Sequence, residues 1–165
     1  MDYKTKIACL EGKGKYVIFD LDGTLADIEA RRKLSLKENG KLDWDKFFDP
    51  ENIKLDQPNT AVIKMAQLLH QTGHQIVILS GRSAATKDAT WQWLSVNEVP
   101  HSLLCMRPEH QLYVADDKLK QDWLEQIWPG KHKENIVAVF DDRNKVVDMW
   151  RKNGLPCFQV APGDF

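Results

Sequence analysis

Long hydrophobic runs are missing from this 165-residue chain, and so is a secretory signal. Their absence excludes a membrane-spanning helix and sets the expectation of a soluble, cytoplasmic protein with no membrane partner. Net charge is nearly missing too: 23 Lys and Arg against 24 Asp and Glu leave −1. A chain so balanced has no general pull toward nucleic acid, although a local basic cleft stays open to it. Cysteine is scarce. Cys9, Cys105 and Cys157 are widely spaced and make no CxxC pair, so neither a zinc knuckle nor a disulfide framework is suggested. Each sits among apolar neighbours and reads as a small buried hydrophobe in a reducing cytosol. The five histidines show no ligand spacing. "EGKGKY", residues 11–16, lacks the G-x-x-x-x-G-K-[ST] spacing of a phosphate loop and reads as a flexible basic lead-in. Repeats, low-complexity segments and linkers are absent, so residues 1–165 are expected to form one domain.

The chain does carry short apolar runs separated by helical patterns. Strands are expected over 16–19, 75–79, 102–106, 136–140 and 157–160. Helices are expected over 60–71, 84–96, 117–127 and 145–152. Their apolar faces would be Val62, Met65, Ala66 and Leu69; Trp91 and Leu94; Leu119, Trp123 and Ile127; and Val146, Val147 and Trp150. Asn153-Gly154 is a stop signal for the last of them. Trp91, Trp123 and Trp150 therefore read as core, whereas Trp44, among polar residues, is a candidate for substrate contact. Strands apolar throughout that alternate with helices argue for an α/β fold, a parallel sheet covered on both faces. Ligands of such sheets gather at the carboxyl ends of the strands.

Three of those ends carry polar groups. "YVIFDLDGTLAD" runs from an apolar strand straight into Asp20 and Asp22. Ser80-Gly81-Arg82 follows the second strand, and Asp141-Asp142 follows the fourth. Four carboxylates at one edge repel one another unless a cation offsets them. A hard divalent ion such as Mg2+ takes oxygen ligands and leaves room for a substrate phosphate. Arg82, with a Lys from the helix starting near Asp116, could bind the remaining phosphate oxygens. One Asp could then attack phosphorus while the other protonates the leaving oxygen and later activates water.

With "DLDGT", "ILSGR", a downstream helical Lys and "VFDDR" in that order, the sequence resembles the haloacid dehalogenase superfamily of phosphatases. The resemblance implies a three-layer α/β/α fold with a five-stranded parallel sheet in the order 5-4-1-2-3. It implies Asp20 as nucleophile and Asp22 as general acid/base, with Ser80 bonding the phosphoryl group. Mg2+ would be held by Asp20, Asp22 through its carbonyl, Asp141 and Asp142. Two longer stretches, "SGRSAATKDATWQWL" and "DDRNKVVDMWRKNGLPCFQVAPGDF", resemble the 3'-phosphatase domain of phage-type polynucleotide kinase/phosphatases. By the same resemblance "DDKLK" selects Lys120 over Lys118 as the catalytic lysine. Thr24, Gly81, Arg82, Asp116 and Arg31, which stands eleven residues after the nucleophile, would contact substrate. The sequence departs from that family where Val114 and Ala115 replace a basic Arg-Lys pair, and a kinase half is not evident.

The expected activity is removal of a terminal 3'-phosphate from DNA or RNA through a phosphoaspartate, in nucleic-acid end repair, for a phage-encoded or bacterial protein. A separate kinase or ligase could work beside it. The alternative is a nucleotidase for free mononucleotides. The inserts at 26–59 and 83–113 are too short for a folded cap. The first is expected to hold one short helix and then irregular chain, leaving the site open, with Arg31 gripping the strand backbone or the phosphate.

Overall fold

The structure, a computed structural model, describes residues 12–165; Cys9 and Glu11 lie outside the described residues. Its centre is β1 (Tyr16–Phe19), buried at every position. Parallel to it on one side lie β4 (Gln75–Ser83) and β5 (Leu103–Arg107), and on the other β6 (Ile136–Asp141) and β7 (Cys157–Gln159). The sheet order is β5-β4-β1-β6-β7. Counted among these five strands alone, that is the expected 5-4-1-2-3 read from the other edge. The labels differ only because β2 (Ala26–Asp27) and β3 (Gln57–Pro58) pair antiparallel in a separate two-stranded ribbon.

Side chains alternate across a strand, so β1 feeds two cores at once. Tyr16 and Ile18 join Trp123, Leu124 and Trp128 of the segment containing α5 (Asp116–Ile127), and Trp150 of α7 (Asn144–Lys152). Val17 and Phe19 join Val62, Ile63 and Ala66 of α3 (Thr60–Gln71), and Trp93 and Leu94 of α4 (Lys87–Val96). Phe19 and Phe140 stack with ring centroids 4.5 Å apart, locking β1 to β6 beside the acidic motifs. α7 stops at Gly154, where φ of +75° takes the chain out of the helix.

Some expectations are corrected. Trp91 is 60% exposed; Trp93 is the buried indole of α4. The buried face of that helix runs through Thr90, Trp93 and Leu94, and the Trp93 Nε1 donates to the Asp56 carbonyl at 3.0 Å. On α3 the inward residue is Ile63, while Met65 is 42% exposed. β4 runs on through Ser80-Gly81-Arg82 to Ser83, with a register shift against β5 between Ser80 and Ser83. The lead-in is docked where it is described: Gly14 and Lys15 donate backbone N–H groups to the carbonyls of Glu134 and Asn135 in α6 (His132–Asn135). Burial pushes the thiols of Cys105 and Cys157 up to about 12.

The first insert is more ordered than expected. After α1 (Glu29–Leu34) come α2 (Trp44–Phe47) and a 3-10 turn (Pro50–Leu55). Both start from local signals in "DWDKFFDPENIKLDQPN". Asp43 caps α2 by accepting from the Lys46 N–H at 3.3 Å, and Asp49 caps the turn by accepting from the Glu51 N–H at 3.0 Å, with Pro50 opening it. Phe47 and Ile53 then anchor these pieces inward.

Candidate active site

β1 ends at Phe19 and hands the chain to Asp20, whose N–H donates to the Phe140 carbonyl at 2.9 Å. A tight turn follows, closed by Thr24 and Ala26 N–H groups on the Leu21 carbonyl, and pinned by buried Leu21 and Leu25. Gly23 sits at φ +84°, and a Cβ there would lie 2.1 Å from Asp142 Oδ2. Glycine is therefore what lets the first motif and the Asp141-Asp142 pair approach each other.

Around Asp20 the structure gathers a buried acidic cluster. Oxygens of Asp20, Asp141 and Asp142 all lie within 4.8 Å of one another. Lys120, on the inward face of α5, donates to Asp20 Oδ1 at 2.7 Å and to Asp141 Oδ2 at 2.9 Å. Lys118 is exposed, so the lysine of the site is Lys120. Burial raises the Asp20 carboxyl well above the usual range, with Asp141 and Asp142 adding to the rise against the opposing pull of Lys120. Burial and Asp141 likewise raise Asp142 to about 6. Asp141, Asp20 and Asp116 hold Lys120 protonated despite its burial. Thr24, fully buried, donates through Oγ1 toward Asp20 Oδ2 at 3.3 Å and Asp142 Oδ1 at 3.4 Å. It bridges the carboxylates, where the sequence reading expected a substrate contact.

Asp141 and Asp142 are not equivalent. Asp141 Oδ2 accepts from Lys120 and, at 3.1 Å, from the buried Trp150 indole. Its Oδ1 accepts from the N–H groups of Asp142 and Arg143 at 2.9 and 3.3 Å. Four donors fill a carboxylate's four lone-pair positions. Asp142, whose side chain takes the long Thr24 bond at 3.4 Å, faces Asp20 and keeps acceptor capacity that Asp141 has spent.

Asp22 stands in different surroundings. Arg31 Nη2 and Arg82 Nε both donate to Asp22 Oδ1, at 2.9 and 2.6 Å. The same two guanidiniums bind Asp56: Arg31 Nε to Oδ1 at 2.8 Å and Arg82 Nη2 to Oδ2 at 2.5 Å. The result is a closed ring of two acids and two bases. Burial works to raise the Asp22 carboxyl, but Arg82 and Arg31 outweigh it and hold it below the ordinary range. Arg31 also donates to the Phe47 carbonyl at 3.0 Å and lies 4.3 Å from the centre of that ring. Both arginines were expected to flank a substrate phosphate. The structure instead buries them completely in contacts with Asp22 and Asp56, so Arg31 does not reach out to grip a strand. Asp56 escaped sequence reading. The one signal for it is charge accounting, since two buried arginines on one aspartate need a second acid.

The remaining residues sit at the cavity wall or just behind it. Ser80 is fully buried and its Oγ accepts from the Arg82 N–H at 3.2 Å. Gly81 lines the cavity; a Cβ on it would meet the Asp116 carboxylate at 2.7 Å. Asp116 is clamped between Arg107 and Arg143, the latter at 2.6 Å. Sequence reading missed both arginines. Asp20, Asp22, Lys120, Asp116, Asp141 and Asp142 open onto one cavity of about 1620 Å³, which Val114 and Ala115 also line.

Comparison with known proteins decides what this arrangement is. The profile of the polynucleotide kinase PNKP phosphatase domain matches residues 14–165. The chain belongs to that family. A protein of Autographa californica nuclear polyhedrosis virus, described as a bifunctional polynucleotide kinase/RNA ligase, is 31% identical over 143 residues, 85% of this chain and 18% of the relative. A chain in the Pnkp1/Rnl/Hen1 RNA repair complex superposes with a TM-score of 0.72 at 34% identity, over 98% of this chain and 48% of that one. This phosphatase chain thus spans about half or less of these two relatives. A haloacid dehalogenase-like hydrolase of Streptococcus pneumoniae, 11% identical with a TM-score of 0.62 over 88% of this chain and 84% of that one, shares the fold. No helix among the described residues is long and apolar enough to cross a membrane.

Proposed function

We propose that this phosphatase removes the terminal 3'-phosphate from a nucleic-acid end through a phosphoaspartate on Asp20, in RNA repair. The observation that carries the reading is the contrast between two aspartates two residues apart. Asp20 sits in an acid-rich cluster beside one lysine; Asp22 sits in a guanidinium ring. The Lys120 ammonium on Asp20 supports it as the ionised nucleophile, against the rise that burial gives it, and the arginines that hold Asp22 apart from the acid cluster support it as the group that moves the proton. The kinase and ligase named among the relatives, and the RNA repair complex, support an RNA end as substrate and a kinase or ligase as partner. The cavity supports a polymer end, being roomier than the roughly 300–1,000 Å³ typical of small-ligand pockets.

In this mechanism Asp20 attacks phosphorus and Lys120 offsets charge on the phosphoryl oxygens. Asp22 gives its proton to the departing 3'-oxygen, then takes one from the water that attacks the phosphoaspartate. The guanidiniums keep Asp22 ionised before substrate arrives. A phosphoryl dianion placed beside it raises its pKa and loads the proton where it is needed. Three carboxylates around one lysine leave an excess of negative charge on an all-oxygen donor set, which suits a hard divalent ion. Asp20 and Asp142 would hold it, because Asp141 is already filled by its four donors. Bound there, Mg2+ would supply positive charge against the phosphoryl oxygens.

The deciding assay compares phosphate release from a 3'-phosphorylated oligonucleotide, a 3'-mononucleotide and a 5'-phosphorylated oligonucleotide. Efficiency is expected to be at least as high on the first as on the second, and negligible on the third. EDTA should stop turnover and Mg2+ restore it, and Asp142→Ala should raise the Mg2+ requirement about tenfold or more. Turnover in metal-free buffer sinks the metal assignment. Val114 and Ala115, in place of a basic pair, favour a nucleotidase as second reading; a strong preference for free mononucleotides would put it first.

A leaving-group test isolates Asp22. A sugar oxygen is a poor leaving group and needs the proton, whereas p-nitrophenolate departs without it. Asp22→Asn is expected to cost about 10²–10⁴-fold on a 3'-phosphoryl substrate and far less on p-nitrophenyl phosphate. Equal losses, with no phosphoenzyme accumulating, would remove Asp22 from the acid role.

A further inference from the structure

The first insert places an indole at the mouth of the cavity. Trp44 opens α2 and is 58% exposed, yet it lines the same cavity as Asp20 and Lys120. It is braced on two sides: its ring stacks on Phe48, with centroids 5.7 Å apart and 19° between planes, and meets Phe47 edge-on at 5.7 Å. Phe47 is buried, receives the Arg31 guanidinium on its face and gives Arg31 its carbonyl. The plate is thereby tied, through Arg31, to the ring that holds Asp22. An exposed aromatic held rigid costs a ligand little ordering when it binds.

The mouth also carries positive charge. Arg32 and Arg143, both lining the cavity, lie 5.9 and 5.2 Å from the centre of the half-exposed Phe165 ring. Arg32 is exposed, whereas the arginines beside Asp22 are buried. Aromatic faces interleaved with accessible cations complement unpaired nucleotides, whose bases stack and whose phosphates are anionic.

We infer that Trp44 is the stacking site for the nucleobase of an unpaired 3'-terminal nucleotide, with Arg32 set to meet a phosphate of the same strand. This rests on the proposed function and adds to it: the enzyme reads the terminal base as a flat face, without choosing its sequence, and requires the end to be unpaired.

The test compares kcat/KM on an oligonucleotide ending in a 3'-phosphorylated nucleotide with that on one ending in a 3'-phosphorylated abasic sugar, each in ribose and deoxyribose form. Wild type is expected to favour the base by about tenfold, mainly through KM. Trp44→Ala should bring that ratio close to one. Trp44→Phe should keep most of it. Trp91→Ala, which removes an equally exposed indole that does not line the cavity, should leave the ratio at its wild-type value. A wild-type ratio near one, or an unaltered ratio in Trp44→Ala, overturns the inference. If wild type releases phosphate from neither oligonucleotide, the phosphatase reading fails by itself. Binding of the same two oligonucleotides to Asp20→Asn protein, with and without Trp44→Ala, then decides the stacking site.

Discussion

Asp20→Asn is expected to abolish phosphate release, by about 10⁴-fold or more, without weakening the fold. The loss follows from chemistry: an amide cannot attack phosphorus as a carboxylate does. The second half of the statement follows from the site. Burial and two neighbouring acids raise the Asp20 carboxyl well above its usual value, so ionising it in the folded protein costs stability. For such a group the cost is absent at low pH and is incurred as pH climbs past the unfolded value. An amide removes the cost at neutral pH, and its oxygen can still accept from Lys120. A melt in EDTA should therefore give a Tm no lower than wild type. Rapid quench of the wild-type reaction should find the phosphoryl group on Asp20. Near-normal turnover by the variant would end the assignment; lost turnover with a collapsed Tm would recast Asp20 as structural.

The same contrast between local and distant causes explains what could be read from the sequence. The sheet was legible because its strands are apolar on both faces, and the acidic motifs because each follows a strand directly. Trp91 was misread because a spacing of three suits two faces of a helix, and only the docked neighbour chooses between Trp91 and Trp93. The buried ring was illegible for a stronger reason. Asp56 lies 25 residues from Arg31 and 26 from Arg82, in a polar stretch that also holds Asp43, Asp45 and Asp49. Nothing local separates it from Asp43 and Asp49, which only cap short helical turns. Its selection is made by tertiary packing, including the Trp93 indole on its carbonyl. Arg31 matched a family position, yet its burial comes from Phe47 and Asp56, residues that the motif does not include.

Asp56→Ala is accordingly expected to damage both stability and chemistry. The ring holds two positive and two negative charges, and Asp56 and both guanidiniums in it are fully buried. Removing one acid leaves two guanidiniums sharing Asp22 Oδ1. Breaking a buried ion pair from one side costs about 3–5 kcal/mol, which for a chain of this size lowers Tm on the order of 10 °C. Asp56→Asn, which keeps the shape and one acceptor, should cost less. A purely structural role would stop there. A positioning role predicts more, because Asp22 would lose the charge that shares its arginines and be pulled further from protonation. Below the melting range, Asp56→Ala should therefore lose about a hundredfold on a 3'-phosphoryl substrate and much less on p-nitrophenyl phosphate, the pattern expected of Asp22→Asn. Combined with Asp22→Asn it should add little further loss, since both act at one proton transfer. Equal losses on the two substrates, or full additivity with Asp22→Asn, would confine Asp56 to holding the insert in place.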